Sequence, residues 1–224
     1  MTRPTIQQRL RITFAKGEEI KYISHLDLMR LWERTLRRAR APLAYSQGFN
    51  PRPKMAVAAP LPVGFTSLGE VMDIILERRI SPFNFAKSLA PHLPLGLELL
   101  SVEEVYANLP SLQSQVRSAE YRVTVSWDGP REEMGRKLLT ERVRQLLAAE
   151  QLLRQRRGKD YDLRPMIEAL WVEGQEADSW ILGMRLRAGE QGAGRPDEVM
   201  DALGLVEERY AIQRERLLWS GSLS

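Results

Sequence analysis

The chain has 224 residues, 43% hydrophobic and 28% charged, a balance that supports a buried core and argues against disorder. It has no cysteine, which excludes disulfides, thiolate nucleophiles and cysteine-ligated zinc or iron–sulfur centres. The net charge of +4 is uneven: residues 1–60 carry +8, 61–110 carry −3, 111–160 carry +4 and 161–224 carry −5, an asymmetry that suits an anionic partner or a solvated basic face.

Met1 to Leu10 lacks the apolar stretch of a secretory signal, and no apolar run approaches the roughly 20 residues that span a bilayer. A cytoplasmic protein without membrane contact is therefore expected. Gln8 to Phe14 alternates as a strand, with Leu10, Ile12 and Phe14 on one face. Ser24 then stands three residues before Asp27, a capping-box spacing that opens a helix to about Arg40. Leu28, Trp32, Leu36 and Ala39 form its apolar stripe and leave Arg30, Arg34, Arg37 and Arg38 largely on an outer basic face. Pro42 ends it.

Leu43 to Ser46, Met55 to Ala59 and Val71 to Leu76 read as strands. Ser81-Pro82 starts a second helix through about Leu93, and Leu97 to Glu104 completes a β-α-β-β-α-β order. Ala107 to Ser118 is polar and weakly patterned, as a linker would be. The order then repeats: a strand at Tyr121 to Trp127, and a helix introduced by Asp128-Gly129-Pro130 and running to about Ala149. A hairpin follows from Leu170–Val172 and Trp180–Arg187, then a loop at Gln191 to Arg195, a helix from Pro196 and a strand at Ala211 to Trp219. The expected fold is α+β, with two tandem ferredoxin-like lobes over residues 1–106 and 119–224 joined by a linker over 107–118.

The densest candidate site is Tyr45-Ser46-Gln47-Gly48-Phe49-Asn50-Pro51-Arg52-Pro53-Lys54. Gly48 permits a positive φ, while Pro51 and Pro53 stiffen the chain and project Arg52 and Lys54 from it. Two fixed cations beside an aromatic ring suit a phosphate backbone with a stacked base. The plainer alternative is a proline-rich turn with Phe49 in the core. His25, at a helix start, is a candidate general acid or base, or else a packing residue beside the cap. Arg156-Arg157-Gly158-Lys159-Asp160-Tyr161-Asp162-Leu163-Arg164-Pro165 reads either as a second anion-binding strip, with Lys159 and Arg164, or as an ion-paired turn; Asp162 can cap a helix near Pro165. With only His25 and His92 as imidazoles, no transition metal and no cofactor is expected, although carboxylates can hold magnesium. Walker A, GxGxxG, GxSxG and HExxH motifs are absent. Met29, Met55, Met166 and Met184, and most of the five tryptophans, fit core positions.

Lys21 to Asp27, Leu36 to Ala39, Pro42 to Lys54 and Leu61-Pro62-Val63-Gly64 with Ser67 and Glu70 together resemble the signature of the radical-SAM-linked proteins, and Lys159 to Pro165 fits the same pattern. That family, of unknown function, is found beside or fused to an uncharacterised radical SAM protein and, in some genomes, near a ribonuclease of the E/G type and ribosomal-protein genes. The resemblance implies a radical SAM protein as partner and a role with RNA. The paired ferredoxin-like layout is also similar to CRISPR repeat-processing endonucleases, although their glycine-rich loop is not evident. Three readings result. In the first, an RNA-binding accessory protein presents tRNA or rRNA to the radical SAM enzyme, with Arg37, Arg38, Arg52 and Lys54 on phosphates, Tyr45 or Phe49 on a base, and Ser46, Gln47 and Asn50 beside them. In the second, a metal-independent RNA-processing or RNA-modifying enzyme uses His25. In the third, the chain is a protein-only adaptor.

Overall fold

Alternation along the first strand decides where the first core forms. In the computed structural model, which describes residues 7–126, 133–156, 158–189, 192–205 and 209–221, the chain is a mixed α+β protein of two compact units, 1–115 and 116–224. Among the described residues no helix is long and apolar enough to cross a membrane.

The first unit runs β1 (Gln8–Lys16), α1 (His25–Arg38), β2 (Met55–Val57), β3 (Thr66–Leu76), α2 (Pro82–Leu89), β4 (Leu97–Val105) and the short α3 (Leu112–Gln115). Its strands lie in the order β2-β3-β1-β4, each neighbour antiparallel. Leu10 faces Ile74 and Ile12 faces Met72 in register, so one sheet face is continuously apolar. Leu28, Trp32 and Leu36 of α1, with Phe85 and Leu89 of α2, close over that face. Trp32 meets Phe14 edge-on at 4.9 Å between ring centroids.

The opposite face is polar and tied down. Asp73 receives Arg9 Nε at 2.8 Å and Arg11 Nε at 2.9 Å, while Arg9 also donates to the Leu109 and Pro110 carbonyls. Within the stretch expected as a linker, 107–118, the Leu109 and Pro110 carbonyls are thus bound to β1, Leu112–Gln115 forms α3, and Val116 opens the next strand, in which Ser118 is fully buried.

The second unit runs β5 (Val116–Ser126), α4 (Glu133–Ala148), β6 (Leu153–Arg156), β7 (Lys159–Asp162), β8 (Ile167–Glu176), β9 (Ser179–Gly189), β10 (Gly192–Ala193), α5 (Pro196–Ala202) and β11 (Tyr210–Trp219). The order β8-β9-β5-β11 is again antiparallel throughout, with β10 extending the β9 edge and β6–β7 a separate hairpin. Gly183 sits opposite Trp171 in register, and a Cβ there would stand 2.2 Å from the Trp171 ring; only glycine admits the indole across the sheet. On the polar face, Glu120 accepts from Arg185 at 2.7 Å and Arg216 at 2.5 Å. Burial alone would raise its pKa, but those hydrogen bonds outweigh burial and hold it below the usual carboxylate value.

Several boundaries differ from the sequence reading. The first helix stops at Arg38, because Arg40 turns left-handed (φ 55°) and the Ala41 N–H returns to the Leu36 carbonyl at 3.0 Å. The second helix yields to a 3-10 turn at Ala90–His92 after eight residues. Leu43 to Ser46 makes only two isolated bridges, Leu43 to Leu76 and Tyr45 to Pro53, not a strand. The β6–β7 hairpin is not expected from the sequence, since its residues show no apolar alternation. Trp127, the expected helix start at Asp128-Gly129-Pro130, Arg157 and Gln191 lie outside the described residues.

Candidate functional site

The run from Ala44 to Lys54 forms an arm between α1 and β2, stitched to the sheet at its base. Ala44 N–H donates to the Ile75 carbonyl at 2.8 Å, Lys54 N–H to the Ala44 carbonyl at 2.8 Å, and Ile75 N–H to the Lys54 carbonyl at 3.0 Å. One step further out, Ser46 N–H donates to the Arg52 carbonyl at 2.9 Å, and Arg52 N–H returns to Ser46 Oγ at 3.0 Å. The two prolines withhold donors without loss, because the ladder uses the N–H groups that remain.

Beyond these bonds the tip is open. Gly48 takes φ +128°, and a Cβ added there would meet nothing within 4 Å, so its conformation, not crowding, calls for glycine. Phe49 is fully exposed (106%), which removes it from the core. Gln47 and Asn50 are exposed beside it. Arg52 and Lys54 are exposed, and neither has a carboxylate partner among the described residues. Other large apolar side chains are exposed as well, Phe83, Leu95 and Tyr106 among them, so what sets Phe49 apart is its place beside two cations and not its exposure alone.

Arg37 of α1 stands beside Tyr45 of the arm and 2.7 Å from the Glu33 carboxylate, and these two neighbours, Tyr45 first, push its guanidinium pKa up. Arg37 is thus ion-paired within its own helix, while Arg38 is exposed with no carboxylate partner among the described residues. The candidate set thus gathers Tyr45, Ser46, Gln47, Phe49, Asn50, Arg52 and Lys54 on one arm, with Arg37 on α1 beside Tyr45.

The remaining candidates fall elsewhere. His25 is the first residue of α1 and half-buried; its Nδ1 is buried with no hydrogen-bond partner among the described residues. Ser24 caps the helix by accepting from Asp27 N–H at 3.2 Å and donating to Asp27 Oδ2 at 2.7 Å, which with Arg30 holds the Asp27 carboxyl low. Lys159 is exposed at the start of β7. Arg164 does not extend the strip: its Nε and Nη2 donate to the Leu147 carbonyl at 3.1 and 2.8 Å and its Nη1 to the Ile167 carbonyl at 3.1 Å. A helix C-terminus with free carbonyls attracts a cation, so Arg164 caps α4 and has few donors left for an anion. Asp162 caps no long helix; its Oδ1 accepts from Leu152 N–H and Arg164 N–H around a 3-10 turn.

Near Lys159 the hairpin arginines pair with a distant helix instead of with the acids of their own turn. Arg156 meets Glu198 of α5 at 3.1 Å, Arg154 lies 3.5 Å from Asp201, and the Tyr161 hydroxyl donates to Glu198. Burial, then Glu198, pushes Tyr161 up to about 12. Sequence reasoning misses Glu198 and Asp201 because they arrive from a distant helix; no local spacing announces them.

The solved structure of a Cbf5-Nop10-Gar1 complex contains a chain to which 94% of this chain aligns, at 10% identity and TM-score 0.50, over 48% of that chain. A structure of an H/ACA RNP bound to a substrate RNA containing 2'-deoxyuridine aligns with 94% of this chain and 47% of that one, at 10% identity and TM-score 0.47. The small subunit of acetolactate synthase from Thermotoga maritima aligns at 10% identity and TM-score 0.27, over 97% and 99% of the two chains. This chain spans about half the length of the first two, and likeness at such identity concerns the fold alone. No curated protein matches the sequence. A family model described as uncharacterized protein conserved in bacteria (DUF2344) matches residues 9–196, and the chain belongs to that family.

Proposed function

We propose that this chain is an RNA-binding accessory protein of the cytoplasm that presents tRNA or rRNA to a radical SAM enzyme, built from two ferredoxin-like lobes. The lobe reading is supported by the strand orders β2-β3-β1-β4 and β8-β9-β5-β11, each with two helices in a β-α-β-β-α-β frame. The partner enzyme enters through the resemblance of residues 21–70 to the radical-SAM-linked proteins.

One observation carries the RNA reading: a fully exposed Phe49 on a rigid arm that also holds Arg52 and Lys54, cations without a carboxylate partner among the described residues. A ring offers a stacking platform, and the cations neutralise neighbouring phosphates. The arm, rather than the sheet, is the favoured surface, because Asp73 and the 109–110 carbonyls occupy Arg9 on the sheet's polar face and Asp73 binds Arg11. Binding of nucleic-acid-free protein to total tRNA should fall with salt at a log–log slope steeper than about −3, since each neutralised phosphate contributes roughly −0.7 to −0.9. Arg52→Ala/Lys54→Ala should flatten the slope by about 1.5. An unchanged affinity and slope in that variant would exclude the arm as the RNA contact.

The adaptor reading has one observation of its own. Tyr22, Leu26 and Val63 are exposed, and Gly64 N–H donates to the Lys21 carbonyl at 2.8 Å, which draws Tyr22 and Val63 to one surface. The two readings are compatible, since an accessory protein needs a face for its enzyme as well as one for its RNA.

A further inference from the structure

The four arginines of α1 divide into two pairs. Arg30 lies 3.1 Å from Asp27 and Arg37 lies 2.7 Å from Glu33. Arg34 and Arg38, one helical turn apart, have no carboxylate partner among the described residues, and both line one cleft of about 420 Å³. The cleft lies between the C-terminal half of α1 and the 3-10 turn Ala90–His92, and His92 completes its polar lining. Leu31, Pro91, Leu93 and Pro94 supply apolar walls, and among the described residues no Asp or Glu lines it. The remaining wall residue, Thr35, is already satisfied, its hydroxyl donating to the Leu31 carbonyl at 2.9 Å.

We propose that this cleft binds a phosphate monoester. Like charges one turn apart repel, so two arginines lining one depression, with no Asp or Glu among its lining residues, favour an anion between them. Guanidinium forks match phosphate oxygens two at a time, and His92 adds a donor from the opposite wall. A monoester carries close to two negative charges at neutral pH, which balances both arginines; a carboxylate or an internal phosphodiester supplies only one. The apolar walls exclude water from part of the site and so strengthen the contact. The same chemistry arises from the 5'-phosphate end of an RNA strand or from a free mononucleotide. The site is separate from the arm, because Arg34 and His92 take no part in it.

The test uses the full-length protein and calorimetric titration with adenosine 5'-monophosphate, adenosine, and a short RNA carrying either a 5'-phosphate or a 5'-hydroxyl. Adenosine monophosphate or the phosphorylated RNA should bind at least about tenfold more tightly than its unphosphorylated counterpart, the step expected for one charge-assisted bidentate contact. Arg34→Gln should abolish that preference, and Arg34→Lys, which keeps the charge but loses the fork, should recover part of it. Arg52→Ala/Lys54→Ala should leave it intact, so that failure of the arm and failure of the cleft are told apart. A preference shown by the RNA and not by the nucleotide identifies a strand end as the ligand; the reverse identifies a free nucleotide. Equal binding of phosphorylated and unphosphorylated probes, or a preference that survives Arg34→Gln in a variant whose melting is unchanged, overturns the proposal.

Discussion

Each unit departs from its β-α-β-β-α-β frame at the same point, between the first helix and the second strand. The first unit inserts the arm at 44–54, the second the β6–β7 hairpin at 153–162. Both are basic, both hold a glycine with positive φ, Gly48 and Gly158, and both offer cations near an aromatic ring. Their arginines have opposite electrostatic fates, while Lys159 of the hairpin is exposed like Lys54 of the arm. On the arm, Arg52 and Lys54 have no carboxylate partner among the described residues and Phe49 is exposed. On the hairpin, Arg154 and Arg156 face Asp201 and Glu198, and Arg156 lies over the Tyr161 ring at 5.5 Å. Basic composition therefore does not make an anion site; what matters is whether the rest of the fold has already supplied the counter-charge.

Breaking the arm should give the largest effect. Phe49→Ala should weaken tRNA binding by about 2 kcal/mol, roughly 30-fold, the range of one lost stacked base, and leave the melting temperature unchanged because the ring contributes nothing to the core. Equal binding would show that Phe49 stacks on nothing. Glu198→Gln should move the hairpin towards the arm's condition. Losing a partly exposed carboxylate shared by Arg156 and Tyr161 should lower stability by about 1 kcal/mol, measured by urea unfolding.

The remaining effect is alkaline. Tyr161 ionises at the ordinary tyrosine value of 10.0 when unfolded but is held to about 12 in the fold. Above pH 10 the unfolded chain releases this proton while the folded chain retains it, so stability falls as pH rises from about 10 to about 12. Tyr161→Phe should show a shallower decline than the parent over that window in urea midpoints; identical pH profiles would mean that burial and Glu198 do not hold the hydroxyl above its ordinary value.

Much of the first unit is legible in the sequence because local rules decide it. Ser24 and Asp27 give the helix start, Leu28, Trp32 and Leu36 give its buried stripe, and the Leu10, Ile12, Phe14 alternation gives the sheet face. The arm is visible as a rigid cationic loop, but the exposure of Phe49 is not, since an aromatic between glycine and proline serves a turn or a core equally well. The hairpin escapes notice because Arg154, Gln155 and Arg156 carry no apolar alternation and because its partners come from α5. Arg164 reads as an anion ligand by its neighbours, yet the free carbonyls of α4 claim it. The cleft beside α1 is not legible at all: Arg38 stands out for its charge, whereas pairing it with Arg34 and His92 needs the fold of α1 against the 90–92 turn.

The central claim is that the two insertions differ in free charge, and one paired measurement addresses it. Salt series of tRNA binding would be recorded for the parent, for Arg52→Ala/Lys54→Ala and for Arg154→Ala/Arg156→Ala. The arm variant should lose about 1.5 units of slope and most of its affinity, while the hairpin variant should keep both and lose stability instead. Equal losses of slope in the two variants, or loss in the hairpin variant alone, would contradict the claim.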